Sequence, residues 1–346
     1  MFEKVKVRER IFKSKGAMPL PKALIFEPTI TCNLHCSMCE RYVKPSELNR
    51  REMELIDIIR FIKKLPKTIK SVYISGGEPF MRRDIIDICQ EFLKQNISVR
   101  IQTNGTFVDK VLELAKINGV DLMFSLDGTR EVHNKIRGEP FVFDRNLNIF
   151  KTLRNEFNRE LIITSVITET NLNILKDLIK LLYEENLKSF LIIELERIYT
   201  KQIIDETSKM LGITINDLPA HLKNKTIPSY SFQEFTRTIN ELKKELKLCG
   251  FNYCFFPGNL IPKAAEFYYR TYREHNELYC SYLDDLRIDS CGNIIPCFAI
   301  RKAFGNVTKD SIKTIWNSKE YCEFRIKLLE HNLAPICETC FKASEN

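Results

Sequence analysis

The feature that most constrains the fold is a regular alternation of short β-rich apolar runs with amphipathic helical stretches from residue 23 onwards. Such alternation predicts βα units around a parallel sheet. The predicted strands lie at 23–30, 70–75, 98–103, 120–126, 161–168 and 189–195, and helical periodicity lies at 52–64, 82–95, 108–118, 143–157 and 172–186. We predict an α/β fold with a partial (β/α)6 barrel, because six units fall short of a closed eight-stranded barrel.

The rest of the chain divides into three further segments. Residues 1–22 form an N-terminal arm, and its basic stretch 4–15, KVKVRERIFKSK, is interpreted as a solvated arm rather than a nucleic-acid patch. With the barrel assigned to 23–197, residues 198–279 form a helical insert or linker. It contains a long amphipathic helix at 231–248, the aromatic stretch FNYCFFPG and a helix near 263–275.

The C-terminal segment, residues 280–346, has a third composition. The stretch LRIDSCGNIIPCFAI carries hairpin signals. A short helix is predicted around Trp316 and a second at 319–330, and the tetrapeptide CETC follows. We therefore expect a small separate domain here.

Composition excludes several classes of protein. With 44% hydrophobic and 28% charged residues among 346, the chain can bury a sizeable core. No apolar run reaches the roughly 18 residues that a membrane span needs, and the N-terminus lacks the features of a secretory signal. We expect an intracellular, cytoplasmic protein without a membrane span. Twelve cysteines in a reducing compartment indicate metal binding or redox chemistry rather than disulfides.

The first cysteine cluster directly follows the first predicted strand, in TCNLHCSMCERY. Cys32, Cys36 and Cys39 are spaced C-x3-C-x2-C. A [4Fe-4S] cluster normally takes four cysteine ligands, so three local ones leave one iron open to a substrate or cofactor. A zinc site completed by His35 is the alternative.

Three more strand ends carry small polar residues. The second strand runs into SGGEP, in which Gly76 and Gly77 let a ligand lie against the backbone and Glu78 offers a carboxylate to an ammonium group. The third strand ends in TNGT at 103–106 and the fourth in SLDG at 125–128. Each is also compatible with an ordinary βα turn.

In this order, the cysteine motif, GGEP, TNG and SLDG resemble the radical S-adenosylmethionine (SAM) superfamily, over residues 23 to about 197. The resemblance implies that Cys32, Cys36 and Cys39 hold a [4Fe-4S] cluster whose open iron binds SAM. It further implies contacts with SAM from these residues of the strand ends: Gly76, Gly77, Glu78, Pro79, Thr103, Asn104, Ser125 and Asp127.

The resemblance also implies the chemistry. Reductive cleavage of SAM would give methionine and a 5'-deoxyadenosyl radical that abstracts a hydrogen atom from the substrate. A reductant such as flavodoxin or ferredoxin would supply the electron. This sequence has Met38 before the third cysteine, where the family usually has an aromatic residue, and a thioether can pack on adenine in its place.

The cysteines of the C-terminal segment resemble the SPASM/Twitch auxiliary-cluster domain of the same superfamily. The matching residues are Cys280, Cys297, Cys337 and Cys340, with the IKTIWNS stretch before the CxxC. Only FKASEN follows Cys340, so we expect the Twitch-like form with one auxiliary [4Fe-4S] cluster, which four thiolates complete. Cys291 is a reserve ligand, and a structural zinc site is the alternative.

Two classes of function remain open. The first is a radical SAM oxidoreductase that acts on a small molecule or a ribosomal peptide. The second is a non-enzymatic zinc- or nucleic-acid-binding protein. A zinc ribbon expects CxxC pairs roughly 15 to 20 residues apart, and the pairs at Cys36 and Cys337 are far more distant, so we expect the enzyme and no nucleic-acid partner.

The substrate is the least determined feature. Only 31 residues precede Cys32, too few for a leader-recognition domain of about 80 residues, which favours a small molecule. The aromatic insert is expected to cover the barrel mouth, with helical packing as the alternative. Glu194 and Glu196 share a face of the last strand. They either line the cavity or lie in solvent near Tyr199.

Overall fold

The computed structural model describes residues 2–40, 51–215, 228–256, 278–337, 340 and 343–345. The strands are β1 (Ala23–Thr29), β2 (Ser71–Gly76), β3 (Ser98–Thr103), β4 (Val120–Ser125), β5 (Leu161–Ile167), β6 (Ser189–Leu195), β7 (Asn252–Phe256), β8 (Leu278–Cys280), β9 (Leu286–Ile288) and β10 (Ala343–Glu345). The α-helices are α1 (Phe2–Lys13), α2 (Leu55–Lys63), α3 (Ile85–Lys94), α4 (Val108–Ala115), α5 (Arg130–Arg137), α6 (Val142–Asn155), α7 (Leu175–Glu184), α8 (Lys201–Leu211), α9 (Phe232–Leu248), α10 (Ile312–Trp316) and α11 (Lys319–Glu330).

The main sheet is parallel and has eight strands in the order β7-β6-β5-β4-β3-β2-β1-β9. Its two edges, β7 and β9, do not pair with each other, so the barrel is open. The α/β fold with a partial barrel is thereby confirmed, and the six predicted strands are all present. A two-stranded antiparallel sheet, β8 with β10, lies apart from it.

Two strands of the sheet come from outside the predicted barrel. The aromatic stretch of the insert forms β7, which pairs with β6 from Phe190–Asn252 to Glu194–Phe256. The expectation that this stretch covers the barrel mouth is therefore wrong for residues 252–256. The helix predicted near 263–275 lies outside the described residues. From the C-terminal segment, β9 pairs with β1, with Leu24 opposite Leu286.

The strands divide their residues between two faces. In β2, Val72 and Ile74 belong to the buried apolar core, and Tyr73 and Ser75, which alternate with them, point to the opposite face of the sheet. On the outer face, aromatic rings of the strands pack against the helices, as Phe26 does edge-on to Phe61 at 5.2 Å between ring centroids. This alternation places an apolar layer between the sheet and the helices and leaves a cavity of mixed polarity inside the barrel.

The N-terminal segment differs from the predicted solvated arm. It forms α1, which packs against α11, and Ile11 is completely buried in the core. A guanidinium nitrogen of Arg8 donates to the carbonyl of Leu329. Sequence composition failed here because the apolar stripe of the helix is narrow, and charged residues surround it.

In the part of the chain that the structure describes, every helix is too short or too polar to cross a bilayer.

Candidate active site

The three cysteines of the C-x3-C-x2-C motif lie in the loop that follows β1. Cys36 is buried, whereas Cys32 and Cys39 are partly exposed. The amide of Ser37 donates to the carbonyl of Ile136 at 2.9 Å, which ties the loop to α5. The loop faces a cavity that is also lined by six of the predicted SAM contacts, namely Gly76, Gly77, Glu78, Thr103, Asn104 and Ser125. The structure thus brings these residues together.

Gly76 and Gly77 let β2 approach the start of the cysteine loop. A Cβ at Gly77 would lie 1.9 Å from the carbonyl oxygen of Thr31, and one at Gly76 would lie 2.3 Å from that of Thr29. The amide of Gly77 donates to the carbonyl of Thr29 at 2.9 Å, and the amide of Glu78 donates to the carbonyl of Thr31 at 2.8 Å. The glycines therefore serve the packing of the cysteine loop as well as exposing backbone to the cavity.

Glu78 is almost fully buried and organises the neighbouring strand end. Its Oε1 accepts from the amide of Phe80 and from Oγ1 of Thr103, and its Oε2 accepts from the amide of Asn104 at 2.7 Å. Burial raises the pKa of this carboxyl to about 7 against the opposing effect of these hydrogen bonds. Pro79, which follows it, begins a short 3-10 helix and is buried.

Asn104 connects the third strand end to the cysteine loop. Its Nδ2 donates to Oδ1 of Asn33 at 3.0 Å and lies 3.9 Å from Sγ of Cys32. The pKa of Cys32 is raised to about 12, mainly by burial. A thiolate at this position therefore needs nearby donors or a cationic ligand.

Asp127 reaches the site indirectly. It is fully buried, and its Oδ2 accepts from Nε of Arg137 at 2.7 Å. Arg137 in turn donates from Nη1 to Sγ of Cys36 at 3.5 Å and lines the cavity. Burial opposes ionisation of Asp127, but the charge of Arg137 outweighs it and lowers the pKa of the carboxyl. Asp127 therefore positions Arg137 rather than lining the cavity itself.

A chain of neutral polar side chains crosses the floor of the cavity. The hydroxyl of Tyr73 donates to Oε1 of Gln102 at 3.3 Å, and Nε2 of Gln102 donates to Oγ of Ser125 at 2.9 Å. Thr164 on β5 also donates to Gln102, at 3.4 Å. Four adjacent strands thus present hydroxyl and amide groups to the same space.

The end of β6 supplies the opposite wall. Glu194, Glu196 and Arg197 all line the cavity, so the structure favours the first of the two readings of the glutamates. Arg197 forms a bidentate ion pair with Glu40, and Tyr199 donates to the same carboxylate at 2.9 Å. Tyr199 is completely buried.

The second group of cysteines converges beside the barrel. Cys280 is the last residue of β8, Cys297 follows β9, and Cys337 ends a 3-10 helix after α11. Burial raises the pKa of Cys280, Cys297 and Cys337, and each of these thiols also interacts electrostatically with Cys340. Four partly buried thiols thus interact with one another at one site.

Cys291 sits in the turn before Gly292, where its amide donates to Oδ1 of Asp289 at 3.0 Å. Cys89 is buried on α3, where it packs as a small apolar residue.

Both cysteine sites fit iron-sulfur clusters. Among the described residues, no three Cys, His, Asp or Glu side chains converge as the ligands of a single metal ion do. A cubane binds each thiolate at a different iron, so its ligands surround a volume instead of meeting at a point. In the first site, the Arg137 cation and the Asn104 amide face the sulfur atoms, as expected for charge-assisted support of thiolates.

Sequence reasoning missed several cavity residues. Arg137, Gln102, Thr164 and Arg197 all line the cavity. Gln102 and Thr164 could have been found from strand alternation, because they share a face with the strand-end motifs. The two arginines carry no local signal, because their roles depend on partners far away in the chain.

Comparison with protein families gives two matches. Residues 26–182 match the radical SAM superfamily, and residues 280–341 match SPASM, an iron-sulfur cluster-binding domain. Together the two matched segments span both cysteine sites.

Curated relatives cover different shares of the chain. The AdoMet-dependent heme synthase of Methanosarcina barkeri is 33% identical over 39% of this chain and 39% of its own length. A tungsten-containing aldehyde ferredoxin oxidoreductase cofactor-modifying protein of Pyrococcus furiosus is 26% identical over 92% of this chain and 87% of its own. Mycofactocin maturase MftC of Mycolicibacterium smegmatis is 30% identical over 44% and 39%.

Solved structures share the fold at low identity. SuiB of Streptococcus suis bound to precursor peptide SuiA has a TM-score of 0.68 at 16% identity, over 98% of this chain and 75% of that one. An anSMEcpe structure with bound AdoMet has a TM-score of 0.62 at 19% identity, over 88% and 82%.

Proposed function

Since the chain belongs to the radical SAM superfamily and carries a SPASM domain, we propose that it removes a hydrogen atom from a substrate held in the cavity beside Cys32, Cys36 and Cys39. The observation that carries the proposal is this cavity, which joins the three thiols to the ends of β2, β3 and β4. When bound and reduced, a [4Fe-4S] cluster there supplies the electron that cleaves SAM to methionine and a 5'-deoxyadenosyl radical.

The residues around the cavity have distinct proposed roles. The exposed backbone of Gly76 and Gly77 and the polar end of β3 would orient SAM, with Glu78 fixing the position of Thr103 and Asn104. Arg137 would hold the Cys36 thiolate in place.

The C-terminal cysteines would hold one auxiliary [4Fe-4S] cluster. Four partly buried thiols that interact electrostatically with one another support this assignment, because four thiolates complete a cubane without an open iron. We propose that this cluster transfers electrons rather than binding substrate. A reductant such as flavodoxin or ferredoxin would supply the first site.

For the substrate, we propose a small polar molecule. The floor of Tyr73, Gln102, Ser125 and Thr164 offers hydrogen-bond donors and acceptors, and Glu194 and Glu196 add negative charge at the wall. One relative that aligns over 92% of this chain is a cofactor-modifying protein. A ribosomal peptide is the second candidate, because the chain also aligns with a maturase.

Cysteine variants test the two cluster sites in the anaerobically purified full chain. We expect about eight irons per chain from two four-iron clusters. Cys337→Ala/Cys340→Ala should lose roughly half the iron, retain substrate-free SAM cleavage and lose product formation. Cys322→Ala, on α11, is the matched cysteine control and should keep all the iron. Full turnover in the double variant would show that the second site has only a structural role. A colourless, zinc-loaded protein would refute the proposal that the chain is a radical SAM enzyme.

Substrate class is tested by 5'-deoxyadenosine formation in the presence of boiled cell extract, separated by ultrafiltration into small molecules and peptides. The small-molecule fraction should accelerate SAM cleavage. Glu196→Gln should weaken that acceleration without lowering the affinity for SAM. Acceleration by the peptide fraction alone would favour the second candidate, and an unchanged response of Glu196→Gln would remove this side chain from the substrate wall.

A further inference from the structure

One buried ion pair joins the two cysteine sites. Glu40 directly follows Cys39, and its carboxylate accepts from Nε of Arg197 at 2.6 Å and from Nη2 at 2.5 Å. Both side chains are only 9% exposed. The pair is therefore bidentate and largely removed from water, where charges act on each other strongly.

The arginine end of the pair faces the second site. The guanidinium carbon of Arg197 lies 3.7 Å from the centroid of the Phe298 ring, and Phe298 directly follows Cys297. Arg197 also interacts electrostatically with Cys340. One end of the pair thus adjoins the ligands of the first site and the other end adjoins those of the second.

This arrangement orients the pair as a dipole between the two sites. Its negative end belongs to the residue that directly follows Cys39, and its positive end lies against Phe298, which follows Cys297, and interacts electrostatically with Cys340. Nearby charge is one of the factors that set the reduction potential of an iron-sulfur cluster. One-electron reduction adds one negative charge to a cluster, so a neighbouring cation stabilises the reduced form and a neighbouring anion destabilises it.

We propose that the Glu40–Arg197 ion pair raises the reduction potential of the auxiliary cluster relative to that of the SAM-binding cluster, and so makes the auxiliary cluster the better electron acceptor. The inference rests on the proposed function, because it requires a cluster at both sites. Arg197 is a positioning residue that acts on the cluster through its charge. Its partner Glu40 has the matching role at the first site.

A second cation, Arg287, also lies near the auxiliary site. The guanidinium carbon of Arg287 lies 4.7 Å from the Tyr282 ring centroid and 5.6 Å from that of Phe298, and its charge acts on Cys297. Arg287 is held by Glu27 of β1 at 2.6 Å. Two cations therefore face the auxiliary site from the barrel.

The test is a redox titration of both clusters followed by electron paramagnetic resonance in the anaerobic full chain. Arg197→Gln should shift the auxiliary potential to lower values, and by more than it shifts the first cluster. Glu40→Gln should shift potentials to higher values, and the first cluster by more than the auxiliary one. Arg197→Lys keeps the charge and should shift the auxiliary potential less than Arg197→Gln.

Arg60→Gln is the control, because it also removes an arginine paired with a carboxylate, at 2.7 Å from Asp57, but on the outer helix α2. It should leave both potentials unchanged. The titration of the auxiliary cluster is repeated in the Cys32→Ala/Cys36→Ala/Cys39→Ala variant, which lacks the signal of the first cluster.

Shifts of the same sign from Arg197→Gln and Glu40→Gln, or no shift from either, would overturn the inference. If Arg197→Gln does not take up the auxiliary cluster, the sign and relative size of the Glu40→Gln shifts decide alone. Absence of any auxiliary signal in the unaltered protein would overturn the proposed function as well. A signal that does not respond to either substitution would overturn the inference only.

Discussion

At Gly77 there is no room for a side chain, because the backbone that leads into the cysteine loop occupies the position of a Cβ. An added Cβ would lie 1.9 Å from the carbonyl oxygen and 2.5 Å from the carbonyl carbon of Thr31, immediately before Cys32. Both atoms belong to backbone, so a flexible side chain cannot move aside to relieve the clash. The geometry of the first cluster site therefore depends on this glycine.

Gly77→Ala should displace the Thr31 backbone and with it Cys32. We expect this variant to lose roughly half the iron, because only the first four-iron cluster is affected. Iron and sulfide assays and the electron paramagnetic resonance spectrum of the auxiliary cluster measure this directly.

Gly212→Ala is the matched control. Gly212 has a φ of 66° at the end of α8, with open space around its Cβ position, so the substitution should cost about 1 kcal/mol and no iron. Full iron content in Gly77→Ala would show that the cysteine loop adapts, and would contradict the claim that the first cluster site depends on this glycine.

Arg137 is the buried cation between Asp127 and Cys36. Arg137→Gln leaves the fully buried carboxylate of Asp127 without its charge partner, so the free energy of unfolding should fall by about 3–5 kcal/mol. Anaerobic denaturation with urea at neutral pH measures this loss.

The double variant Asp127→Asn/Arg137→Gln removes both charges and should recover part of the stability. The pKa of Asp127 is lowered in the folded state, so the pair contributes stability above the unfolded pKa and loses it as the pH falls through the folded pKa. The penalty of Arg137→Gln should accordingly shrink in acid. A double variant no more stable than the single one would contradict the ion-pair account.

At the scale of elements, α1 is the helix that supports the C-terminal domain. Ile11 is completely buried, and Gly16 lies where a Cβ would meet the carbonyl oxygen of Cys322 on α11 at 2.2 Å. Since α11 leads into the 3-10 helix that carries Cys337, contacts of α1 bear on the auxiliary site.

Ile11→Ala should therefore destabilise the C-terminal domain by about 2–5 kcal/mol, the usual effect of truncating a buried isoleucine. Heating followed by the absorbance of the auxiliary cluster, in the Cys32→Ala/Cys36→Ala/Cys39→Ala background, reports on this domain. Phe12→Ala is the control, because Phe12 is 37% exposed on the same helix. If Ile11→Ala and Phe12→Ala lose the auxiliary cluster at the same temperature, α1 does not stabilise the domain that holds it.

The elements also show why parts of the fold were predictable. The sequence predicts a helix at 231–248, and α9 spans Phe232–Leu248 behind a capping box of Ser231 and Glu234, a signal that is local in sequence. By contrast, β9 has only three residues, too few to establish a period of two. Its place beside β1 is determined by pairing across more than 250 residues of sequence.

For the whole molecule, β1 is the structural link between the two sites. Its carboxyl end leads into the first cysteine motif. Its edge opposite β2 pairs with β9, which precedes Cys297. Strand-end motifs indicated most of the cavity from the sequence, because parallel strands bring their carboxyl ends together. The arginines at 137 and 197 could not be predicted, because their partners Asp127, Cys36 and Glu40 meet them only in the folded chain.

The most direct test of the central claim is the formation of 5'-deoxyadenosine from SAM by the reduced, iron-loaded protein, measured by mass spectrometry. The unaltered chain should form it, and Cys32→Ala/Cys36→Ala/Cys39→Ala should lose roughly half the iron and form none. Cleavage that survives in the triple variant, or that is absent from the fully iron-loaded parent, would contradict the assignment of this site.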